Sequence, residues 1–113
     1  MFKLFGSKTL AYENITPQEA DQRIKTQKPL IIDVREGYEY SQGHIKGSKL
    51  IPLSQISSKI NVIGAKDREI IVVCRSGGRS SHAANLLSSQ GFTRIGNIKG
   101  GMIGWMRAGL PLE

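Results

Sequence analysis

The apolar residues of this chain fall into short blocks that are separated by Gly, Pro and polar positions. Leu30–Val34 and Glu69–Val73 are nearly continuous apolar, β-branched runs, the pattern of strands buried on both faces. Arg94–Ile98 predicts a third strand, and Lys49–Leu53 a short one that Pro52 stops.

Helical patterns lie between these strands. Thr16-Pro17-Gln18-Glu19 is a capping box with proline at the first helical position, which predicts a helix from Pro17 to about Lys25 with Ala20 and Ile24 inward. The other predicted elements are one helical turn within Glu36–Gln42 and helices over Ser54–Ile60, Ser81–Gln90 and Met102–Ala108. Apolar strands that alternate with helices indicate an α/β fold with a parallel sheet covered on both faces.

A chain of 113 residues has room for a single domain with one core, which we expect over about residues 12–111, with residues 1–7 as a flexible end. Hydrophobic residues make up 39% and charged residues 22%, as in an ordinary soluble protein. A single cysteine excludes an internal disulfide and is typical of a reducing compartment.

The formal charge of +7 favours anionic partners. The 16 Lys and Arg form no basic run, and aromatic residues are only 6% of the chain, so we expect no nucleic-acid partner. The chain shows neither the apolar core of a signal peptide nor the roughly 18 apolar residues of a membrane span. We therefore expect a cytoplasmic protein with no membrane partner.

Cys74 stands where the strand Glu69–Val73 ends, and ligands of open parallel sheets bind beyond the carboxyl ends of strands. The residues that follow, Arg75-Ser76-Gly77-Gly78-Arg79-Ser80, lead into a helix, so that backbone N–H groups can converge on the sulfur. Such surroundings lower a cysteine pKa and make the thiolate available. We therefore predict that Cys74 is a nucleophile.

Arg75 and Arg79 flank the two glycines of this loop. A guanidinium group offers planar, bidentate donors that suit sulfur and phosphorus oxyanions. The sequence therefore predicts an anion cradle built from Arg75, Ser76, Gly77, Gly78, Arg79 and Ser80.

Two stretches of the chain carry a family resemblance. The loop CRSGGRS, with SHAANLLSSQGF and NIKGGMIGW after it, resembles the active-site half of single-domain rhodaneses, a family of sulfurtransferases. The upstream segment IIDVREGYEYSQGHIKGSKLIPL resembles that family's pattern D-V-R, then E-Y or E-F, then G-H-I-x-G. The resemblance covers about residues 12–111.

The resemblance implies a three-layer α/β fold with about five mostly parallel strands. It also implies that Cys74 takes sulfane sulfur from a small anionic donor, such as thiosulfate, polysulfide or a persulfide, and holds it as a persulfide. A thiol, cyanide or protein thiol then accepts the sulfur, with no metal and no organic cofactor.

Three polar residues, Asp33, Arg35 and His44, lie in the upstream segment. We interpret them as a polar network that supports the loop and strand ends, because a preformed thiolate needs no general base. His82 is expected at the surface, and Trp105 is expected to pack the last helix on the sheet.

Several other functions remain as alternatives. A persulfide carrier for a protein partner would use the same residues and differ only in its acceptor, whereas a binding module would not need the cysteine. Cysteine phosphatases, and arsenate reductases of related fold, have a longer loop: the phosphatase pattern is C-x5-R, but Cys74 and Arg79 are spaced as C-x4-R. The tighter loop favours a single sulfur atom over a tetrahedral phosphate.

Overall fold

The computed structural model describes residues 11–113, so the expectation for residues 1–7 lies outside it. The described chain forms a five-stranded sheet in the order β1-β5-β4-β2-β3, and every neighbouring pair is parallel. The strands are β1 (Glu13–Ile15), β2 (Leu30–Asp33), β3 (Lys49–Leu50), β4 (Glu69–Val73) and β5 (Arg94–Ile98). The helices are α1 (Pro17–Gln27), α2 (Gly37–Tyr40), α3 (Ile60–Ile63), α4 (Gly78–Ser89) and α5 (Gly101–Arg107).

The apolar runs form strands because their side chains enter two cores, one on each face of the sheet. Along β4, Ile70 and Val72 belong to one core, and Ile71 and Val73 belong to the other. The first core includes residues of α4, and the second includes residues of α1 and α5, among them Trp105. The predicted α/β fold with helices on both faces is confirmed.

The first helix begins as predicted and ends slightly later. The Thr16 side chain accepts a hydrogen bond from the Glu19 backbone N–H at 3.1 Å, and Ala20 is fully buried. The helix ends at Gln27, where Lys28 takes a left-handed conformation. Ile24 packs against the core as expected.

Three other boundaries correct the prediction. The expected helix over Ser54–Ile60 is instead two 3₁₀ turns, Leu53–Gln55 and Ser57–Lys59, followed by α3. These tighter turns carry Ile56 into the core, where it is fully buried. β3 ends at Leu50, short of Pro52, which has no N–H to donate to a neighbouring strand. The helix α4 begins at Gly78, three residues before the predicted start.

One strand, β1, has no counterpart in the sequence prediction. Its three residues include only one buried apolar side chain, Ile15, too few to show a period. It forms a strand because its backbone pairs with β5, from Glu13 beside Gly96 to Ile15 beside Ile98.

The parallel arrangement brings the ends of β2 and β4 together. Asp33 lies beside Val73 in the register of the two strands, and Val34 N–H donates to the Val73 carbonyl at 2.9 Å. The segments after these strands, which contain Arg35 and Cys74, therefore leave the sheet at the same edge. No helix among residues 11–113 has the length and apolarity needed to cross a membrane.

Candidate active site

Cys74 directly follows β4, and its side chain is almost completely buried, with 1% of the residue exposed. The sulfur accepts hydrogen bonds from the Gly77 backbone N–H at 3.0 Å and from the Ser80 hydroxyl at 3.3 Å. Gly77 has φ of +114° at the N-cap of α4, a conformation that disfavours any side chain. The glycine thus lets the loop turn back and aim its N–H at the sulfur.

The surroundings of Cys74 favour its thiolate. Burial raises the pKa of the thiol, but the Ser80 hydroxyl and the nearby backbone N–H groups of Ser80, Gly77 and Ser76 lower it by a larger amount. The net result is a pKa below the ordinary value of 9.0. A lowered pKa increases the fraction of Cys74 that is present as the nucleophilic thiolate at a given pH.

Ser80 is itself held in place by the buried amide of Asn97, which in turn contacts the exposed Asn14. The Ser80 hydroxyl also lies 2.6 Å from Asn97 Oδ1, so its single hydrogen is shared between that oxygen and the Cys74 sulfur. The Asn97 amide in turn donates to Asn14 Oδ1 at 3.2 Å. Neither asparagine was among the predicted site residues. The sequence offered one sign of Asn97: it is a polar residue within the largely buried strand β5, where an apolar residue is usual.

The backbone beside Cys74 is supported by the start of α5. Met102 N–H donates to the Cys74 carbonyl at 2.8 Å, and Ile103 N–H donates to the Arg75 carbonyl at 3.0 Å. Gly101, with φ of +57°, lies so near that an added Cβ would stand 2.6 Å from the Arg75 carbonyl oxygen. Sequence reasoning did not assign Gly101 to the site, although the pair Gly100-Gly101 was a visible signal.

The two arginines of the predicted cradle have different surroundings. Both terminal nitrogens of Arg79 donate to Glu39, at 2.7 and 2.9 Å. This contact lowers the pKa of Glu39 to about 2 and raises that of Arg79. Arg75 is exposed, and its guanidinium makes no hydrogen bond or ion pair with residues 11–113. The structure therefore leaves Arg75 open and pairs Arg79 with a residue that the prediction did not include.

The remaining cradle residues lie where the loop joins α4. Ser76 and Gly78 are exposed, whereas Ser80 is fully buried in the first turn of the helix. Arg79 and Ser80 thus belong to α4 rather than to the loop, because the helix starts at Gly78.

Of the three residues of the predicted support network, the structure brings Asp33 and Arg35 together and leaves His44 apart from them. Arg35 donates to both carboxylate oxygens of Asp33, with a closest distance of 2.7 Å, and to the Gly43 carbonyl at 2.9 Å. His44 does not reach this pair. Its ring stacks on Tyr40 with a centroid distance of 3.8 Å, and Nδ1 lies 3.0 Å from the Tyr40 carbonyl.

The contact with Arg35 that the prediction gave to the His44 imidazole is made instead by the backbone carbonyl of the preceding residue, Gly43. His82 is exposed, and Trp105, a residue of α5, is buried in the core between that helix and the sheet, both as expected.

A cleft of about 340 Å³ opens beside the residue that follows Cys74. It is lined by Arg35, Tyr38, Glu39, Gln42, Arg75, Met102, Ile103 and Met106. A larger cavity of about 940 Å³ lies where β1, β4 and β5 begin, at the opposite edge of the sheet from Cys74.

Charged residues of the larger cavity pair with one another. Arg23 contacts Glu13, and Arg94 contacts Glu69. Of these two spaces, the smaller cleft is the one that adjoins the loop after Cys74. Within residues 11–113, no group of three His, Cys, Asp or Glu side chains is placed to hold a metal ion.

The fold and the site together define a parallel α/β domain with a thiolate-stabilising loop at the carboxyl end of a central strand. This combination is found in a known family, and residues 16–108 match the Rhodanese-like domain. The chain belongs to that family.

Two similar proteins are described as sulfurtransferases. The chain is 37% identical to a sulfurtransferase of Allochromatium vinosum, over 87% of this chain and 92% of the relative. It is 29% identical to the thiosulfate sulfurtransferase GlpE of Actinobacillus pleuropneumoniae, over 90% and 94% of the two chains. A rhodanese-related protein of Thermoplasma volcanium has a similar structure, with a TM-score of 0.81, 31% identity, and coverage of 90% and 98%.

Proposed function

We propose that this chain transfers sulfane sulfur from thiosulfate or a related donor to a thiol or cyanide, through a persulfide on Cys74. The observation that carries the proposal is the sulfur itself, which is buried and held by Gly77 N–H and the Ser80 hydroxyl with a lowered pKa. The sulfurtransferase relatives support the same reaction class.

In the first half-reaction, the Cys74 thiolate attacks the outer sulfur of the donor. With thiosulfate, a new S–S bond forms to Cys74, the S–S bond of thiosulfate breaks, and sulfite leaves with its electron pair. The total charge is unchanged, because the cysteine now carries the negative charge on its outer sulfur. No oxidant or reductant is required.

In the second half-reaction, an acceptor thiolate or cyanide attacks the outer sulfur of the persulfide. The bond to Cys74 Sγ breaks, and the cysteine leaves as a thiolate that the loop again stabilises. Two transfers through one covalent intermediate make a ping-pong reaction. Cys74 is the sole cysteine, so the acceptor thiol comes from another molecule.

The loop supplies the electrostatic stabilisation of both charged forms. N–H groups that are fixed before the reaction cost no reorganisation when charge develops, which is how an oxyanion hole works. We assign this role to the backbone of Ser76, Gly77 and Ser80, and we assign donor attraction to Arg75. We place the reaction in the cytoplasm, where a lone thiol stays reduced.

The test is intact-mass measurement of the purified protein after incubation with thiosulfate or polysulfide. We expect a gain of one sulfur atom, lost again on addition of cyanide or a thiol, and no gain in Cys74→Ser. If the mass never changes with any of these donors, the proposal is wrong.

Two further measurements separate the nearest alternatives: the rate of sulfur release to different acceptors, and the hydrolysis of an aryl phosphate. A persulfide carrier would gain the sulfur atom but release it to a protein thiol much faster than to small thiols or cyanide. A cysteine phosphatase would instead hydrolyse an aryl phosphate in a reaction that Cys74→Ser abolishes. We favour sulfur transfer over phosphate hydrolysis for two reasons. The loop that follows Cys74 is short, and its Arg79 is paired with Glu39.

A further inference from the structure

We infer that Asn97 is a positioning residue of the site, whose amide oxygen competes with the Cys74 sulfur for the single hydrogen of the Ser80 hydroxyl. This competition limits how strongly the thiolate is stabilised, and so keeps it nucleophilic. The inference rests on the proposed function for its effect on sulfur transfer, but the competition itself is testable without a sulfur donor.

The pairing of the strands places Asn97 next to the site. In the register of the sheet it lies beside Val72 of β4 and beside Asn14 of β1. Ile95, two residues earlier on β5, packs in the same core as Val72, the core to which α4 contributes. Because alternate residues of a strand point to the same face, Asn97 shares the face that α4 covers.

The buried amide of Asn97 has a partner at each end. The residue is 4% exposed, and an amide buried without hydrogen bonds would cost free energy. Its Oδ1 lies 2.6 Å from the Ser80 hydroxyl, and its Nδ2 donates to Asn14 Oδ1 at 3.2 Å. The bond to Asn14 orients the amide so that its oxygen, and not its nitrogen, faces Ser80.

The Ser80 hydroxyl has one hydrogen and three acceptors within reach. Asn97 Oδ1 lies at 2.6 Å, and the Cys74 sulfur and the Gly77 carbonyl both lie at 3.3 Å. The Gly77 carbonyl already accepts from the Ser81 backbone N–H at 3.0 Å. The competition is therefore chiefly between the amide oxygen and the sulfur, and the amide oxygen has the shorter contact.

The charge on the sulfur decides where the hydrogen is donated. A Cys74 thiolate draws it to the sulfur, so that Asn97 Oδ1 loses its donor. In the thiol, and in the persulfide, whose charge lies on the outer sulfur, Sγ is uncharged and the hydrogen returns to the amide. The hydrogen stays bonded to the Ser80 oxygen throughout, so no proton is transferred. Asn97 thus stabilises the uncharged Sγ, which makes the thiolate a stronger nucleophile and a poorer leaving group.

The charged and titratable side chains on the elements around Cys74 are not partners of Asn97. They are Arg79 paired with Glu39, Asp33 paired with Arg35, and the exposed Arg75, His82 and Lys99. Arg94 and Arg107 lie at the distant ends of β5 and α5. Among residues 11–113, none of these side chains hydrogen-bonds to Asn97, so replacing Asn97 changes the neutral donors and leaves the charges in place.

The experiment measures alkylation of Cys74 by iodoacetamide against pH in the wild type and in Asn97→Ala. We expect the midpoint to move to lower pH. The rate should rise about twofold below the midpoint, where more thiolate is present, and fall about twofold above it, because a less basic thiolate is a weaker nucleophile. A merely structural role predicts the opposite, since a displaced Ser80 would move the midpoint to higher pH. An unchanged or raised midpoint therefore overturns the inference.

A double variant tests whether Asn97 acts through Ser80. In a Ser80→Ala background, Asn97→Ala should leave the midpoint where Ser80→Ala alone puts it, because no hydroxyl remains to compete for. An equal displacement in both backgrounds would show that Asn97 acts by another route, and the inference would be wrong. Asn85→Ala, at an exposed asparagine of α4, is the matched control and should not move the midpoint.

Asn14→Ala keeps the test decisive if Asn97→Ala does not fold, which thermal unfolding would show. Asn14 is exposed, and its loss removes the acceptor that orients the Asn97 amide. We expect a smaller displacement of the midpoint in the same direction. In that case a lower midpoint in Asn14→Ala supports the inference, and an unchanged or higher one contradicts it.

Sulfur transfer gives a second readout. In alkaline solution, Asn97→Ala should gain sulfur from thiosulfate about twofold more slowly and lose it to cyanide about twofold faster, because its thiolate is a weaker nucleophile and a better leaving group. Changes of both rates in the same direction would contradict the inference. If the wild type never gains sulfur, the proposed function fails, while the alkylation midpoints still decide the role of Asn97.

Discussion

The ends of β2 and β4 are neighbours in the sheet, and the chain continues similarly from both. Each strand is buried on both faces, and each leads to an ionisable side chain with an arginine close behind it. Asp33 and Cys74 are also equally hidden, with 0% and 1% of each residue exposed. Burial and topology therefore do not distinguish these two positions.

What distinguishes them is the partner of the charge. The Asp33 carboxylate accepts hydrogen bonds from the Arg35 guanidinium and from the Arg35 backbone N–H, so its charge is neutralised within the segment. The Cys74 sulfur accepts hydrogen bonds from neutral groups, while Arg79 is bound to Glu39 and Arg75 is exposed. Asp33 therefore belongs to a closed ion pair, whereas the Cys74 sulfur has no ion-pair partner among residues 11–113.

The largest expected effect comes from breaking the ion pair of Asp33 with Arg35. Asp33→Ala leaves Arg35 as a buried cation without its counter-charge, so we expect the free energy of unfolding to fall by about 3–5 kcal/mol. Cys74→Ala should lower it by only about 1 kcal/mol, a typical value for a point substitution, while abolishing sulfur loading. Urea denaturation measures both, and similar losses for the two variants would contradict the contrast.

The next effect concerns the close approach of α5 to the backbone beside Cys74. Gly101→Ala would push its Cβ into the Arg75 carbonyl, adding about 1–3 kcal/mol of overpacking to about 1–2 kcal/mol of left-handed strain. Gly109→Ala has a similar φ of +71° but open space around it, so it should show the strain alone. Thermal denaturation of both variants measures the difference, and equal destabilisation would argue against the tight contact.

A smaller effect sharpens the role of neutral donors. Ser80→Ala removes the hydroxyl that stabilises the thiolate, so the pKa of Cys74 should rise. The rate of alkylation by iodoacetamide, measured against pH, should fall severalfold at pH 7 and approach the wild-type rate in alkaline solution. Ser89→Ala, at the far end of α4, serves as the control. If the pH midpoint of alkylation is the same in Ser80→Ala as in the wild type, the hydroxyl does not stabilise the thiolate.

The smallest expected effect concerns the ion pair of Arg79 with Glu39. Because the pKa of Glu39 is lowered from 4.5 to about 2, its stabilising contribution is complete above pH 4.5 and is lost as the pH falls towards 2. Arg79 is more than one-third exposed, so Glu39→Gln should cost less than about 1 kcal/mol at neutral pH. We expect the difference in the free energy of unfolding between the wild type and Glu39→Gln, measured from pH 7 to pH 2, to shrink below pH 4.5. A difference that grows in acid would be inconsistent with the assigned pair.

Contacts close in the chain were the ones that sequence reasoning predicted well. The capping of α1 by Thr16 and the pair of Asp33 with Arg35 join residues only two or three positions apart. His44 shows the limit of such reasoning, because its spacing from Arg35 did not reveal the stacking on Tyr40. The boundaries around Ser54 were missed because burial of Ile56 favours tight turns there over a continuous helix.

By itself, the sequence determined the parallel α/β fold and the position of Cys74 at a strand end, because apolar runs and glycines act on the chain locally. Only the tertiary structure decided that Arg79 is bound to Glu39, that Asn97 holds Ser80, and that Gly101 supports the backbone after Cys74. These contacts join residues far apart in the chain, brought together by the pairing of strands and the packing of helices on them. No local spacing specifies such partners.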